Sequence, residues 1–143
     1  MSRAGGGFLL VRTGGRRVGL ELAHVIEVIQ IGSVHPVPSR ERAVRGVTTV
    51  QGRIIPVLHL GALLDLAECP PKLGETLVVV TVDGRRVGLE IDEAEVIVRE
   101  PALPVPPGAA FPWAIGVARH PDGLVPLLDL GALSSRFMEA TSA

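Results

Sequence analysis

The chain is poor in the residue types on which several functional classes depend. Its 143 residues include one cysteine, one tryptophan, three phenylalanines and no tyrosine. The single cysteine, Cys69, excludes a disulfide within the chain and is typical of a reducing compartment. Four scattered aromatic rings are too few for the stacking platforms with which proteins bind single-stranded nucleic acid.

The chain also lacks an excess of either charge. Fourteen basic residues stand against fifteen acidic ones, which gives a formal net charge of −1. Such a chain has no long-range attraction for nucleic acid or for an anionic membrane. Its apolar runs are too short for a signal peptide or a membrane span, so we expect a cytoplasmic protein with no direct membrane insertion.

Recognisable arrangements of catalytic or metal-binding residues are missing as well. None of the four histidines has metal-ligand spacing from another histidine or from Cys69. No serine lies in a nucleophile elbow, and the seventeen glycines form no phosphate-binding pattern. We therefore expect neither an enzyme nor a cofactor. The remaining charge clusters are predicted to be solvated: the carboxylates Glu90, Asp92, Glu93 and Glu95, and the arginine pairs at 16–17 and 85–86.

What the chain does contain is a tandem repeat. GGRRVGLEL at 14–22 returns as DGRRVGLEI at 83–91, an offset of 69 residues. PVP at 36–38 returns at 104–106, and GVTTVQGRIIPVLHLGALL from residue 46 is answered at an offset of 70 by GVARHPDGLVPLLDLGAL. Near-constant offsets along the chain indicate two structural copies of one unit.

Each copy consists of short strand-like segments with turn residues between them. The predicted hairpin turns are Gly14-Gly15, Gln51-Gly52, Asp83-Gly84 and Asp122-Gly123. The segment RRVGLE follows both the turn at 14–15 and the turn at 83–84, so we expect the two turns to superpose. Gly19 and Gly88 are predicted to be small because another segment approaches closely. The Leu-Gly-Ala-Leu segment of each copy is predicted to form one helical turn.

Five short strands with proline and glycine at the corners suit a small closed barrel, because closure removes unpaired edges. We predict an all-β fold in one domain, 1–143, with a first barrel at 8–66, a second barrel at 75–133 and a C-terminal tail at 134–143. Each barrel alone would be marginal in stability. Their apolar outer faces, including the run from Leu77 to Val80, are therefore predicted to pack in a shared core.

The ordered motifs resemble a known protein family. VGLEL, VIEVI (25–29), PVP (36–38), RGVTTVQGRIIPVLHL (45–60), LVVVTVDGRRVGLEID (77–92) and IGVARHPDGLVPLLDL (115–130) are similar, in this order, to the CheW coupling proteins. The resemblance covers about residues 8–133. It implies two tandem five-stranded SH3-like barrels related by pseudo-twofold symmetry, with short helical segments.

The resemblance also implies a function. CheW-like proteins are non-enzymatic adaptors in chemotaxis, and they couple the cytoplasmic tips of methyl-accepting chemoreceptors to the regulatory domain of a CheA-type histidine kinase. They work at membrane-associated receptor arrays. The receptor lies in a groove between the barrels, at positions that match Val25, Glu27, Gly46 and Ala94. For Val25, barrel core is an equally good interpretation.

Two departures from the family pattern concern this groove. Relatives commonly read N-L-R-G, and that arginine pairs with the glutamate that matches Glu27; here the position is Gln51. We predict that Arg53, two residues on, takes its place in the groove wall. The second departure is His59, where the family commonly has Asp.

Positions matching the kinase-binding barrel ends of the family are Val44, Ile54, Val57 and Leu124. Ordinary core is the favoured interpretation of all four. Two functional alternatives stay open. One is a divergent member that binds only kinase or only receptor in a motility or developmental pathway. The other, from a different class, is a double barrel that binds a small ligand or nucleic acid.

Overall fold

Strands dominate the structure, and they form two five-stranded sheets. The structure, a computed structural model, describes residues 6–109 and 111–133. The predicted tail at 134–143 lies outside the described residues. No helix in the described ranges is long and apolar enough to cross a membrane. The strands are β1 (Phe8–Thr13), β2 (Arg16–Glu21), β3 (Val25–Gln30), β4 (Val44–Val50), β5 (Arg53–His59), β6 (Thr76–Val82), β7 (Arg85–Ile91), β8 (Glu93–Val98), β9 (Ala114–His120) and β10 (Gly123–Leu128).

Within residues 6–109 and 111–133, three short helical segments accompany the strands. One helical turn, α1 (Leu60–Leu63), follows β5, and a 3-10 helix at Gly131–Leu133 follows β10. These are the two predicted Leu-Gly-Ala-Leu turns, and the structure confirms them. A further 3-10 helix at Leu22–His24 joins β2 to β3.

The two sheets have the same plan. The order of one is β3-β6-β7-β5-β4, which we call the central barrel, and the order of the other is β8-β1-β2-β10-β9, which we call the terminal barrel. Pairing is antiparallel except between β5 and β7 and between β2 and β10. In each barrel an isolated bridge, His35 with Val47 or Leu103 with Val117, ties the proline-rich segment to β4 or β9.

The predicted barrel boundaries at 8–66 and 75–133 are wrong. Strands β1 and β2 from the first half join β8 to β10, and β6 and β7 from the second half join β3 to β5. Each half thus contributes its first hairpin to the other half's barrel. The residue pattern of a repeat specifies local hairpins, but two similar copies offer equivalent neighbours, so the pattern leaves the choice of barrel open.

Backbone angles confirm the predicted likeness of the hairpins at 14–15 and 83–84. The φ values are 60° and 79° at Gly14 and Gly15, and 50° and 77° at Asp83 and Gly84. Left-handed φ at both central residues is the geometry of a two-residue hairpin turn that matches strand twist. The turn at 51–52 has the same geometry, with φ values of 50° and 75°.

The fourth turn differs from its prediction by one residue. His120 pairs with Gly123, so the turn residues are Pro121 and Asp122 instead of Asp122 and Gly123. Proline fixes φ near −65° and therefore excludes the left-handed turn of the other three hairpins. The repeat itself indicates this turn, because its offset of 70 aligns Gln51-Gly52 with Pro121-Asp122.

Three apolar clusters fill the molecule, and the largest lies between the barrels. Alternation along β6 divides its side chains: Val78, Val80 and Val82 belong to the shared cluster, whereas Leu77 and Val79 fill the central barrel. The terminal barrel has its own smaller interior around Phe8, Leu10 and Leu127. The predicted shared core is therefore confirmed for Val78 and Val80, and the prediction is wrong for Leu77 and Val79 of the same run.

The prediction for Gly19 and Gly88 is also confirmed. Both glycines are buried. A Cβ on Gly19 would collide with the side chain of Leu127, and a Cβ on Gly88 would lie 2.8 Å from the side chain of Leu77. Each barrel thus requires glycine at this equivalent position, which lies in β2 in one barrel and in β7 in the other.

Candidate partner-binding site

Val25 and Ala94 occupy equivalent positions where the two barrels meet. Val25 begins β3 opposite Val80, and Ala94 lies in β8 opposite Val11. Both side chains are half-buried and pack against the shared core. Because β3 and β8 are edge strands of their sheets, these residues form the margin of that core. They are accessible apolar surface beside a packed interior.

Glu27 lies two residues beyond Val25, but a register shift separates the two: Val25 is opposite Val80 of the shared cluster, and Glu27 is opposite Val79 of the central-barrel cluster. Its Oε2 atom is buried and has no hydrogen-bond partner within the described residues. A buried carboxylate oxygen without a donor is costly, by about 1–3 kcal/mol or more for a charged group. Strand β3 therefore contains a buried acceptor that no donor among the described residues satisfies.

The fold explains why residue 46 is a glycine. Its φ is 141°, and a Cβ there would collide with the backbone carbonyl of His35. The equivalent Gly116 has the same relation to the carbonyl oxygen of Leu103, at 2.6 Å. Glycine at both positions lets the proline-rich segment lie directly on β4 or β9.

The structure does not bring Arg53 to Glu27. Gln51 and Arg53 lie exposed at the β4–β5 turn, and no ion pair joins Arg53 to Glu27 among the described residues. In the sheet, β6 and β7 separate β3 from β5. The predicted groove-wall pair is therefore not formed in this structure, and no arginine among the described residues pairs with Glu27.

Two large apolar side chains are exposed at equivalent hairpin tips. Ile54 follows the β4–β5 turn and is 74% exposed, and Leu124 follows the β9–β10 turn and is 54% exposed. The core interpretation is right for Val57, which is fully buried, and wrong for Ile54 and Leu124. Half-buried Val44 packs against the shared core. Isoleucine and leucine side chains thus form exposed apolar surface at equivalent tips of the two barrels.

A buried ion pair in the central barrel corrects the prediction for Glu90. Arg45 Nε donates to Glu90 Oε1 at 2.6 Å and Nη2 donates to Oε2 at 3.1 Å. Arg45 also donates to the carbonyl oxygens of Pro70 and Lys72, and Gly74 N donates to Glu90. Glu90 is 2% exposed because this segment covers the face of β7 that alternation assigned to solvent. The pair clamps the connection between the two sequence halves.

The terminal barrel has a network of its own. Arg17 Nε donates to Glu95 Oε1 at 2.7 Å, and Arg17 Nη1 donates to Asp122 Oδ2 at 2.8 Å. The solvated interpretation of Arg17 and Glu95 is thus wrong. Asp92 is exposed, as predicted, and accepts a hydrogen bond from Gly14 N.

His59 replaces the family's aspartate as a helix cap. Its Nδ1 accepts from Ala62 N at 3.0 Å, and in the other copy Asp129 Oδ1 accepts from Ala132 N at 3.2 Å. Burial lowers the pKa of His59 below its ordinary value; Glu90 and Asp92 oppose this shift, and Arg45 adds to it. A neutral imidazole is needed here, because a protonated Nδ1 cannot accept a hydrogen bond.

Comparisons with known proteins agree with this architecture. A model of the CheW-like domain family matches residues 7–137. The solved structure of the scaffolding protein TtCheW from Thermoanaerobacter tengcongensis is similar, with a TM-score of 0.77 and 20% identity over 89% of this chain and 90% of that chain. A likeness at this identity shows the fold, which confirms the predicted tandem SH3-like barrels. No curated protein matches the sequence.

Proposed function

The chain belongs to the CheW-like domain family, and from this premise we propose that it is a non-enzymatic adaptor in chemotaxis-like signalling. It binds the regulatory domain of a CheA-type histidine kinase and the cytoplasmic tip of a chemoreceptor, in the cytoplasm at membrane-associated receptor arrays. Holding both partners on one chain raises their effective concentration for each other. The observation that carries the proposal is the exposure of Ile54 and Leu124 at equivalent hairpin tips.

The hairpin tips supply the kinase-binding surface. Ile54 and Leu124 offer apolar area at projecting positions, where docking removes it from water at little cost to the barrel interior. Because the two tips belong to different barrels, one adaptor offers two kinase-binding ends. An SH3-like partner domain of similar architecture presents matching ends.

The margin between the barrels supplies the receptor-binding surface. Val25 and Ala94 offer apolar contact to a helical tip, and the buried Oε2 of Glu27 offers an acceptor. No donor engages that atom within the described residues, so a receptor group that reaches it when docking shifts β3 would supply the missing hydrogen bond. A charge-assisted bond from a receptor arginine or lysine fits this position.

The kinase half is tested by titrating the kinase regulatory domain with Ile54→Asp. We expect a loss of affinity of more than tenfold, because a charge would enter an apolar contact. Ile54 is 74% exposed, so the variant should keep its fold, which circular dichroism checks. Val37→Asp is the matched control, since Val37 is exposed outside the hairpin tips. Equal effects of the two variants, or no binding by the wild type, would contradict this half.

The receptor half is tested with Glu27→Gln and a receptor-tip fragment. Because the amide keeps the shape and removes the charge, we expect weaker binding of the fragment and unchanged binding of the kinase domain. Gln30→Glu, on an exposed position of the same strand, is the control. A wild type that binds the kinase domain and never the receptor fragment would contradict the receptor half and favour the kinase-only alternative.

A further inference from the structure

Arg17 joins two parts of the terminal barrel to which the proposed function assigns different partners. Its Nε donates to Glu95 at 2.7 Å and its Nη1 donates to Asp122 at 2.8 Å. Glu95 follows Ala94 in β8, the strand at the groove margin. Asp122 lies in the β9–β10 turn, two residues before the exposed Leu124. One guanidinium therefore touches both the groove strand and the docking tip.

We propose that Arg17 is a positioning residue that fixes the β9–β10 tip relative to strand β8, so that binding at the groove alters binding at the tip. This inference rests on the proposed function, because it links the two surfaces named there. The planar guanidinium holds two carboxylates in fixed directions, which a flexible ammonium group does not do.

Strand pairing does not fix the β9–β10 tip relative to β8, so the Arg17 side chain must do so. In the terminal barrel, β1 and β2 separate β8 from β10, so no backbone ladder joins β8 to β10 directly. The ladder between β2 and β10 contains two residue pairs, Gly19 with Leu127 and Leu20 with Leu128. Both pairs lie at the end of β10 away from the turn. The tip therefore projects beyond its ladder to β2, and Arg17 ties it back.

The two arms of the contact differ in exposure. The side chains of Arg17 and Glu95 are 26% and 16% exposed, whereas that of Asp122 is 67% exposed. Solvent screens the arm to Asp122 more strongly, so this arm opens more readily. The anchor is thus at the groove strand, and the releasable end is at the docking tip.

The central barrel provides an internal control. Arg86 follows the same type of turn as Arg17, at an offset of 69, and is similarly half-buried. The positions equivalent to Glu95 and Asp122 are Ile26 and Gly52, which carry no charge. Among the described residues Arg86 forms no ion pair. Arg86→Ala therefore removes an equivalent arginine without cutting a link.

The first experiment uses the chain alone and measures amide hydrogen exchange by NMR. We expect Arg17→Ala to increase the exchange rate of the β9–β10 tip about fivefold or more. Glu95→Gln, which alters only β8, should increase exchange at the same tip, whereas Arg86→Ala should leave it unchanged. If Glu95→Gln changes exchange only in β8, or if Arg17→Ala leaves the tip unaffected, the proposal is overturned.

The second experiment measures the affinity for the kinase regulatory domain with and without a saturating receptor-tip fragment. For the wild type and for Arg86→Ala we expect the two affinities to differ by about fivefold or more. For Arg17→Ala and Asp122→Asn we expect equal affinities, with partial recovery in Arg17→Lys. A difference that persists in Arg17→Ala overturns the proposal. Failure of the wild type to bind either partner refutes the proposed function instead, and the exchange experiment still decides the role of Arg17.

Discussion

The central and terminal barrels share their backbone plan and differ in where their charges lie. In the central barrel, Arg45 and Glu90 form a buried pair that holds the connection between the sequence halves. In the terminal barrel, the position equivalent to Arg45 is Ile115, and the ion pairs of Arg17 lie nearer the surface. Turns and apolar positions are needed by every copy, whereas the charges have diverged. The comparison teaches that the repeat preserves the scaffold and that the differences between copies carry their separate tasks.

The largest effect we expect distinguishes Gly46 from Gly116, the two equivalent glycines that lie under the proline-rich segments. Gly46→Ala should destabilise the protein by about 4 kcal/mol, because it adds left-handed strain to a collision with the His35 carbonyl. Gly116→Ala also collides with a backbone carbonyl, that of Leu103 at 2.6 Å, but adds no left-handed strain, and should cost about 2 kcal/mol. Urea unfolding of both variants measures the difference. Equal losses would show that the positive φ of Gly46 contributes nothing.

The second prediction concerns the buried clamp of the central barrel. Arg45→Ala should lower the free energy of unfolding by about 3 kcal/mol, because it leaves the Glu90 carboxylate buried without its cation. Arg42→Ala is the control, since Arg42 is an exposed arginine three residues earlier. It should change the stability by less than about 0.5 kcal/mol. Similar losses in both variants would mean that the clamp is not a source of stability.

The third prediction uses the different helix caps, His59 and Asp129. The folded state lowers the pKa of His59, so the unfolded chain binds the proton more readily. Stability should therefore fall as the pH drops below about 6.5, through the folded pKa, and should level off below it. Loss of the cap corresponds to about 1 kcal/mol. Glu90, Arg45 and Asp92 are the charged groups that act on His59.

Stability measured from pH 7.5 to pH 5 in His59→Asp checks this assignment. The variant should lose the decline, because aspartate stays ionised and keeps capping over this range. Asp129→Asn, which keeps an acceptor in the other cap, should retain the wild-type decline. A decline that persists in His59→Asp would assign the pH dependence to another group.

The smallest effects on stability that we expect come from the turns of the β4–β5 and β9–β10 hairpins. Gln51 has a φ of 50°, so Gln51→Gly should relieve strain and stabilise the protein by about 0.5 kcal/mol after the entropy of glycine is subtracted. Pro121 occupies the equivalent position, and Pro121→Gly should destabilise by about 0.5 kcal/mol, because it frees the unfolded chain. Thermal unfolding of both variants tests the opposite signs. Changes of the same sign would refute the proposed difference between the turns.

Local features of the fold were predictable from the residues. The glycine-containing turns and the small residues at Gly19 and Gly88 follow from backbone geometry and close packing. The exchange of hairpins between the halves was not predictable in the same way. Two similar copies present the same local pattern, and only the nonlocal pairs β5–β7 and β2–β10 decide which barrel each hairpin completes.

The candidate site was predictable only in part. The resemblance indicated Val25, Glu27 and Ala94, and the structure places all three on the edge strands β3 and β8, with Val25 and Ala94 packed against the core between the barrels. It could not indicate that Glu27 Oε2 has no hydrogen-bond partner within the described residues, because side-chain reach depends on the neighbouring strand. The ion pairs of Arg45, Glu90 and Arg17 were not predicted. Strand alternation assigns a residue to solvent without considering loops that fold back over it. The available signal was a charge that only one copy has: Arg45, which matches Ile115, and Glu95, which matches Ile26.

The most direct test of the account is whether one chain holds both proposed partners at once. Analytical ultracentrifugation of the chain with the kinase regulatory domain and a receptor-tip fragment measures the mass of the complex. We expect a ternary species, because the hairpin tips and the groove margin are separate surfaces. Displacement of one partner by the other, with only binary complexes in the mixture, would contradict the account.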